Sequence, residues 1–381
     1  MGSSMKHSIL VIGAGISGAS VARALAENGT HVLVVDKRPH TAGCTYDYAD
    51  AHGIMIHKYG PHIFHTNNGM VWDFLSRFTA WHHYQHTVLG WIQGRLVPLP
   101  INIDTIQALY NQPMTASLMK QFLDERRVAI DAPASMREAV VSQIGEELYS
   151  LVFENYTKKQ WGMDPENLPA SIAARVPTRF NRDPRYFTDR YQGIPRDGYT
   201  ALIERMLDHP AITVRLGVDA GDVGAYAGGD WNTRHDKLIY TGGIDDFHSH
   251  SFGRLPYRSL RFVLETHACE QYQPVAVVNY PNDYDFTRIT EFKHFTGKKC
   301  SGTTIMYEYP QAEGEPYYPI PIPSATELYN KYKADADKLE NVFFLGRMGQ
   351  YKYINMDQAV HLACELAADI LGKNVDALFE R

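Results

Sequence analysis

The sequence predicts an α/β fold in which a parallel sheet is assembled from both ends of the chain. A strand, a glycine-rich turn and a helix follow one another over residues 9–28, and a second strand–glycine–helix unit covers residues 342–371. Because more than three hundred residues separate the two units, the segments between them are expected to form insertions. One insertion is predicted to be helical and the other an antiparallel sheet.

The first unit carries the spacing G-x-G-x-x-G at Gly13, Gly15 and Gly18, and the next apolar strand ends at Asp36. The first glycine permits a tight turn, the second lets the backbone approach a pyrophosphate, and the third lets helix and strand pack closely. The helix N-terminus offers N–H groups to phosphates, and the acid can accept hydrogen bonds from a ribose. The unit predicts a Rossmann-like dinucleotide site, although the motif alone does not choose between a nicotinamide and a flavin.

Composition excludes several other classes of protein. A net charge of -6 gives no basis for binding nucleic acid. Four cysteines without a C-x-x-C pair favour neither a disulfide framework nor a zinc site, and we interpret the pairs His82-His83 and His248-x-His250 as non-ligands, so no metal is expected. No apolar run reaches spanning length, and no apolar segment of a signal peptide precedes Ile9. We therefore expect a cytoplasmic protein with reduced thiols and no membrane span.

Three domains are predicted. Residues 5–80, 197–250 and 338–381 would form the discontinuous dinucleotide-binding domain. Residues 101–150 show helical periodicity with breaks at Pro113 and Pro133, and Ser135 is a candidate helix cap. Residues 81–100, 151–196 and 251–337 would form the antiparallel-sheet substrate domain.

Turn signals place further elements along the chain. Gly43 with its small neighbours suggests another close backbone approach to the cofactor. A short strand ends in Gly60-Pro61, which forces a turn and gives His62 a ligand-facing position. Strands at 87–92 and 96–99 flank the turn Gln93-Gly94, and a strand at 238–241 ends in paired glycines that begin at Gly242.

Two later segments have mixed polar and aromatic composition. Residues 153–162 precede Pro165, Pro169 and Pro177, so we interpret this stretch as a loop rather than a helix, and as a lid because an exposed Trp161 is costly in an ordinary loop. Aromatic residues among charges in 186–195 predict one wall of a pocket. The alternation in residues 287–295 predicts a strand with Arg288, Thr290 and Phe292 on one face.

Three motifs resemble those of the bacterial UDP-galactopyranose mutase family. They are Lys158-Lys159-Gln160-Trp161-Gly162, the run HKYGPHIFHT at 57–66 and the run DRYQGIP at 189–195, within a similarity from about Ile9 to the C-terminal helix. The resemblance implies an isomerase that interconverts UDP-galactopyranose and UDP-galactofuranose for cell-surface glycans. It implies FAD as cofactor, with N5 of the reduced flavin as nucleophile at the anomeric carbon. A cellular reductant of the flavin and assembly into a homodimer or larger homo-oligomer are also expected.

The resemblance also implies roles for individual residues. Arg175 and Arg288 match diphosphate-binding arginines, and with His62 beside the flavin they form the expected catalytic set. Expected substrate contacts are Phe153, Tyr156, Thr157, Trp161, Tyr186, Tyr318, Tyr353, Asn355 and His86. Expected cofactor contacts are Gly13, Gly15, Ser17, Gly18, Asp36, Lys37, Gly43, Thr45, His57, Gly60, His62, Gly242, Arg258, Gly346, Arg347, Tyr353 and Met356.

The chain departs from the family pattern at three places. It has Ala42-Gly43-Cys44 where Gly-Gly-Asn is common, His86 where an asparagine is common, and Asn355 where an aspartate is common. An amide can donate a hydrogen bond to a phosphate that a carboxylate would repel, so we expect Asn355 to contact the phosphate region without abolishing turnover.

Two other classes of function compete with the mutase. An amine-oxidase-like flavoprotein that moves hydride would share the two-ended FAD domain, but it does not explain the arginines and tyrosines expected around a diphosphate. A non-catalytic nucleotide-sugar or flavin sensor would bind FAD tightly without turnover.

Overall fold

The computed structural model describes residues 8–175, 177–224 and 231–378, apart from the side chains of residues 174 and 175. The strands of the described part are β1 (Ile9–Ile12), β2 (Val32–Asp36), β3 (Asp47–Ala49), β4 (Met55–His57), β5 (Phe64–Thr66), β6 (Trp81–His83), β7 (Val88–Ile92), β8 (Arg95–Leu99), β9 (Tyr191–Pro195), β10 (Ile212–Leu216), β11 (Lys237–Tyr240), β12 (Tyr257–His267), β13 (Val277–Asn279), β14 (Arg288–Glu291), β15 (Thr303–Gln311), β16 (Tyr318–Pro319) and β17 (Val342–Phe344).

The α-helices of the same residues are α1 (Ile16–Glu27), α2 (Gly69–Ser76), α3 (Ile103–Tyr110), α4 (Ala116–Asp124), α5 (Met136–Tyr149), α6 (Asn155–Trp161), α7 (Tyr199–Leu207), α8 (Trp231–Arg234), α9 (Ile244–Phe247), α10 (Lys293–Thr296), α11 (Pro323–Ala336), α12 (Gly346–Gly349) and α13 (Met356–Leu371). Short 3-10 helices cover Gly43–Thr45, Pro165–Asn167, Ala170–Arg175 and Asp376–Leu378, and a π-helical turn covers Ser150–Glu154. Within this described part, no helix combines the length and apolarity needed to cross a membrane.

A five-stranded parallel sheet draws its strands from both ends of the chain. Its order is β10-β2-β1-β11-β17, so the first strand of the chain lies two positions from the last. The helices α1 and α13 pack together through small side chains, among them the buried Ala22, Ala363 and Ala367. The predicted α/β fold class is confirmed.

The second large sheet has seven strands, in the order β16-β12-β15-β14-β13-β7-β8. Its pairs are antiparallel except for β13 with β7. The predicted strand over residues 287–295 is wrong beyond Glu291, because the chain enters α10 there. Phe292 and Phe295 are both buried, and their three-residue spacing places them on one side of a helix but on opposite faces of a strand.

The helices α3, α4 and α5 lie in the segment predicted to be helical. Ser135 caps α5, as expected, and its hydroxyl accepts a hydrogen bond from the Glu138 N–H at 3.2 Å. Gly145, with φ of 81° and ψ of 169°, is non-helical and divides α5 at a kink.

The loop predicted over residues 153–162 is wrong, because the π-helical turn and α6 occupy it. The three prolines behind that prediction all follow Gly162, which ends α6 in the left-handed region with φ of 66°, so none of them interrupts the helix. Trp161 is buried rather than exposed.

Candidate active site

A cavity opens at the carboxyl ends of β1, β2 and β11, where parallel-sheet proteins commonly bind ligands. Residues that follow β17 and precede β16 close its other side. Its wall is formed by residues 12–13, 15–18, 36–38, 42–45, 218–220, 240–243, 315–318, 346–348 and 354–356, with Tyr59, His62, Asp246 and Ala359.

Glycines bring three backbone segments together at this cavity. A Cβ added to Gly18 would lie 1.9 Å from the Gly13 carbonyl oxygen, and one added to Gly13 (φ 111°) would lie 2.0 Å from Thr241 Oγ1. A Cβ on Gly43 would lie 3.0 Å from Gly15 Cα. Gly15 is the N-cap of α1 and offers no side chain to its first turn, which leaves those N–H groups for an anion.

Asp36 ends β2 at the edge of the cavity, and backbone groups fix its buried carboxylate. Oδ2 accepts a hydrogen bond from the Ala14 N–H at 2.8 Å, and Oδ1 accepts one from the Arg38 N–H at 2.9 Å. The first of these bonds ties the end of β2 to the glycine turn. An acid held in this way can still accept bonds from a ribose through its remaining lone pairs.

An ion pair with a buried carboxylate lies on the second sheet, where the partly exposed Arg288 of β14 is directly opposite the buried Glu308 of β15. Nε and Nη2 of the arginine approach Glu308 Oε2 at 2.9 and 2.8 Å, whereas Glu308 Oε1 has no hydrogen-bond partner among the described residues. Burial lowers the pKa of Arg288, but Glu308, Tyr156 and Tyr318 outweigh it, and the net pKa lies above the ordinary value. The arginine therefore stays charged.

Aromatic rings connect this ion pair to the cavity. The Tyr318 and Tyr353 ring centroids are 5.5 Å apart, and those of Tyr353 and Trp161 are 5.7 Å apart. The Arg347 guanidinium lies 5.5 Å from both tyrosine rings and donates to the Ile354 carbonyl at 2.9 Å. Tyr318 and Arg347 line the cavity together with the glycine turn, whereas Arg288 lies outside the lining and interacts electrostatically with Tyr318.

A further aromatic group surrounds His86. The Tyr186 N–H donates to the His86 carbonyl at 2.6 Å, and the two ring centroids are 5.7 Å apart. Phe187 stacks on His65 at 3.7 Å and also lies 5.9 Å from His86. Burial, then the charges of Arg288 and His65, lower the pKa of His86 to about 3, so this imidazole is neutral and can face a flat, uncharged ring.

Comparison with known proteins identifies the family. A model of the UDP-galactopyranose mutase family matches residues 151–353, which is more than half of the 381 residues. The chain belongs to the UDP-galactopyranose mutase family. A model of the NAD(P)-binding Rossmann-like domain matches residues 11–78 and covers the glycine motif of this mutase-family member.

Full-length relatives agree with this family. The chain is 38% identical over 370 residues to a probable UDP-galactopyranose mutase of Klebsiella pneumoniae, with 95% of this chain and 94% of the relative covered. It is 36% identical over 370 residues to the dTDP-fucopyranose mutase of Escherichia coli, with 95% and 97% covered. A crystal structure of reduced UDP-galactopyranose mutase has the same fold, with a TM-score of 0.76, 16% identity and 98% and 97% covered. The resemblance seen in the motifs is confirmed, and the family is one of isomerases.

Most of the predicted cofactor residues line the cavity of this mutase-family chain. They are Gly13, Gly15, Ser17, Gly18, Asp36, Lys37, Gly43, Thr45, His62, Gly242, Gly346, Arg347 and Met356.

Four predicted cofactor residues lie outside that lining. Arg258 donates from Nε to the Gln160 carbonyl at 3.0 Å and from Nη2 to the Lys159 carbonyl at 3.2 Å, so it holds the C-terminal end of α6. Tyr353 belongs to the aromatic connection with Trp161. The other two, His57 and Gly60, belong to the strand and turn that precede His62.

The predicted substrate residues fall into two groups. Tyr318 and Asn355 line the cavity, and Asn355 is also the N-cap of α13, whose Gln358 side chain accepts from the Asn355 N–H at 2.9 Å. Those in the second group lie away from that lining. Phe153, Tyr156, Thr157 and Trp161 are on α6 and its preceding turn, Tyr353 packs against Trp161, and Tyr186 lies beside His86. The side chain of the predicted catalytic Arg175 lies outside the described residues.

Sequence reasoning missed Glu308, the buried partner of Arg288. The available signal was an acid on a strand whose other residues are mainly apolar or uncharged, in the run TTIMYEYPQ. A carboxylate at such a position needs a cation as partner. Only the strand register shows that this cation is Arg288.

Proposed function

We propose that the protein is a UDP-galactopyranose mutase that interconverts UDP-galactopyranose and UDP-galactofuranose and uses reduced FAD. The observation that supports this most is the Arg288–Glu308 pair, which Tyr318 links to the cavity whose glycine turn suits a dinucleotide. Breaking the bond from the anomeric carbon to UDP builds negative charge on the diphosphate. A cation held in place beforehand stabilises that charge more in the transition state than in the ground state.

The cavity residues fit FAD. The backbone approach of Gly15 to Gly43 at the start of α1 suits the pyrophosphate, and Asp36 suits a ribose. Lys37, Thr45, Gly242, Gly346 and Met356 would complete the contacts as lining residues. When bound and reduced, FAD supplies a nucleophilic nitrogen for the anomeric carbon.

The residues of the second sheet and α6 would bind the nucleotide sugar. Arg288 and Arg175 would hold the diphosphate. Burial keeps the pKa of Tyr318 above its ordinary value, so its hydroxyl stays protonated and can donate to a phosphate oxygen, with Tyr353 beside it. Asn355 would donate from its amide at the same end. Together these groups orient the departing diphosphate and retain it while the sugar changes ring size.

The aromatic group would take the base. Tyr186 would stack on uracil beside the neutral His86, and the α6 side would contribute Tyr156, Thr157 and Trp161, with Phe153 from the preceding turn. Stacking supplies affinity with little dependence on the identity of the base. The identity of the nucleotide therefore has to be tested directly.

A second candidate substrate is dTDP-fucopyranose. It is favoured by the Escherichia coli relative, which carries that name and is 36% identical over nearly its whole length. The same arrangement of cations and tyrosines would serve either diphosphate. Either activity also requires a cellular donor of electrons for the flavin, which we include among the proposed partners.

The proposal is tested with purified holoenzyme under anaerobic conditions. The protein is incubated with UDP-galactofuranose, with and without dithionite, and the products are separated by chromatography; dTDP-fucofuranose is run in parallel. We expect conversion to UDP-galactopyranose in the reduced sample alone, and a higher kcat/KM than for the dTDP sugar. Failure of the reduced, FAD-loaded protein to convert either sugar would overturn the proposal. Bleaching of the oxidised flavin by amines would then indicate an oxidoreductase.

A further inference from the structure

The turn after β4 presents His62 to the cavity, and three hydrogen bonds fix this residue. Its N–H donates to His57 Nδ1 at 3.0 Å, and its own Nδ1 approaches the Gly60 carbonyl oxygen at 2.8 Å. Its carbonyl accepts from the Tyr199 hydroxyl at 3.2 Å. Gly60 has φ of 95°, a conformation that lets the turn fold back on itself.

These bonds determine which nitrogens carry hydrogen. A carbonyl oxygen can only accept, so Nδ1 of His62 is the protonated nitrogen of that ring. Burial, then the neighbouring His57, lower the pKa of His62 to about 3, so the ring is neutral and its lone pair lies on Nε2. His57 has the opposite arrangement, because its Nδ1 accepts a backbone N–H.

Aromatic rings enclose His57 itself. Its side chain is 1% exposed, stacks on Phe295 at 5.3 Å, and meets Tyr199 edge-on at 5.6 Å and Phe292 at 5.6 Å. Burial lowers the pKa of His57 to about 3, so the ring remains neutral and remains an acceptor. Burying a hydrogen-bond acceptor in apolar surroundings costs free energy unless the acceptor is hydrogen-bonded, and His57 Nδ1 meets this need through the His62 N–H.

We propose that His57 is a positioning residue. By accepting the backbone N–H of His62, it holds the turn in which His62 Nδ1 donates to the Gly60 carbonyl, so that the cavity receives an imidazole acceptor at Nε2 rather than a donor. The sequence led us to expect His57 as a direct cofactor contact, but the structure places it behind His62, outside the cavity lining. The inference rests on the proposed function because it concerns the site that would hold the flavin. A neutral acceptor there could accept a hydrogen bond from an N–H that the flavin gains on reduction.

The test compares two substitutions of His57 in the FAD-loaded protein. His57→Asn can place its Oδ1 near the position of Nδ1 and keep the acceptor, whereas His57→Leu fills the apolar enclosure without one. The tautomer of His62 is read from the nitrogen chemical shifts of the ring in protein labelled with ¹⁵N-histidine. The His62 signals are assigned by their loss in His62→Gln, and the flavin absorption spectrum and kcat and KM are recorded in parallel.

We expect the asparagine variant to keep the Nδ1–H tautomer and the spectrum of the parent protein. The leucine variant should show a mixture of tautomers, a shifted flavin spectrum and a kcat lower by about tenfold to a hundredfold with little change in KM, as for a displaced site group. A leucine variant with an unchanged tautomer, or equal tautomer loss in both variants, would overturn the proposal. If the leucine variant does not fold, an altered tautomer in the asparagine variant alone overturns it. The tautomer is measured without substrate, so failure of the mutase assay leaves this result interpretable.

Discussion

Replacing Gly15 by alanine tests whether the cavity at the β1–α1 turn binds a dinucleotide. The added Cβ would lie 3.7 Å from Gly43 Cα, an ordinary contact, and the φ of -79° suits alanine, so the apoprotein should fold normally. The methyl group would occupy space that a pyrophosphate needs near the start of α1. Overfilling a close-packed site costs about 1–3 kcal/mol. We therefore expect the Kd for FAD to rise by about 5-fold to 150-fold.

The assay is a titration of apoprotein with FAD, followed by flavin fluorescence, together with thermal unfolding of each apoprotein. Gly18→Ala is the matched control, because its Cβ would lie 1.9 Å from the Gly13 carbonyl oxygen and should destabilise the protein itself. The reasoning is refuted if Gly15→Ala binds FAD as tightly as the parent chain. It is also refuted if the Gly15→Ala apoprotein unfolds at the same low temperature as the Gly18→Ala apoprotein.

Three further predictions concern the substrate side and the response to pH. Arg288→Ala removes a cation and leaves its buried carboxylate partner unpaired, so kcat/KM should fall by about a hundredfold to a thousandfold. Arg288→Lys should lie between this variant and the parent. A kcat/KM of Arg288→Ala within about twofold of the parent in anaerobic kinetics would contradict this. Asn355→Asp places a carboxylate near the proposed diphosphate site, so we expect weaker UDP binding in calorimetry; an unchanged Kd would contradict the proposed contact. The pKa values of His57, His62 and His86 are lowered from 6.5 to about 3, so each takes a proton in the unfolded chain first. The free energy of unfolding should therefore fall as the pH decreases from about 6.5 towards 3, by about 1.4 kcal/mol per pH unit for each histidine. Urea unfolding with the same midpoint concentration at about pH 7.5 and about pH 5 would contradict this.

The parallel sheet and its cradle could be predicted because local spacing determines them. The glycines at 13, 15 and 18 act on the turn that contains them, and Asp36 follows from the length of one strand. The motifs of the resemblance then identified the family from residues that lie far apart in the chain. The sheet, the glycine turn and the family could therefore be predicted from residues within short sequence motifs, without knowledge of tertiary contacts.

The errors arise where tertiary contacts decide the structure. The prolines near α6 follow the helix rather than interrupt it, and burial of Trp161 together with the Arg258 bonds stabilises a helix that composition alone described as a loop. Glu308 was missed because its pairing with Arg288 depends on the register between β14 and β15, which no local pattern reports. The cofactor contact expected of His57 stays a prediction; the sequence did not show that its ring accepts the backbone N–H of His62 and lies outside the cavity lining.

The most direct test of the central claim is the redox state of the flavin during turnover. The central claim is that the reduced flavin takes part in an isomerisation and is not consumed. Reduced, anaerobic holoenzyme is mixed with a large excess of UDP-galactofuranose, and flavin absorbance is followed while product is counted by chromatography. The account predicts many molecules of UDP-galactopyranose per flavin with the flavin still reduced at equilibrium. Product that stops at one molecule per flavin, with reoxidation of the flavin, would contradict it.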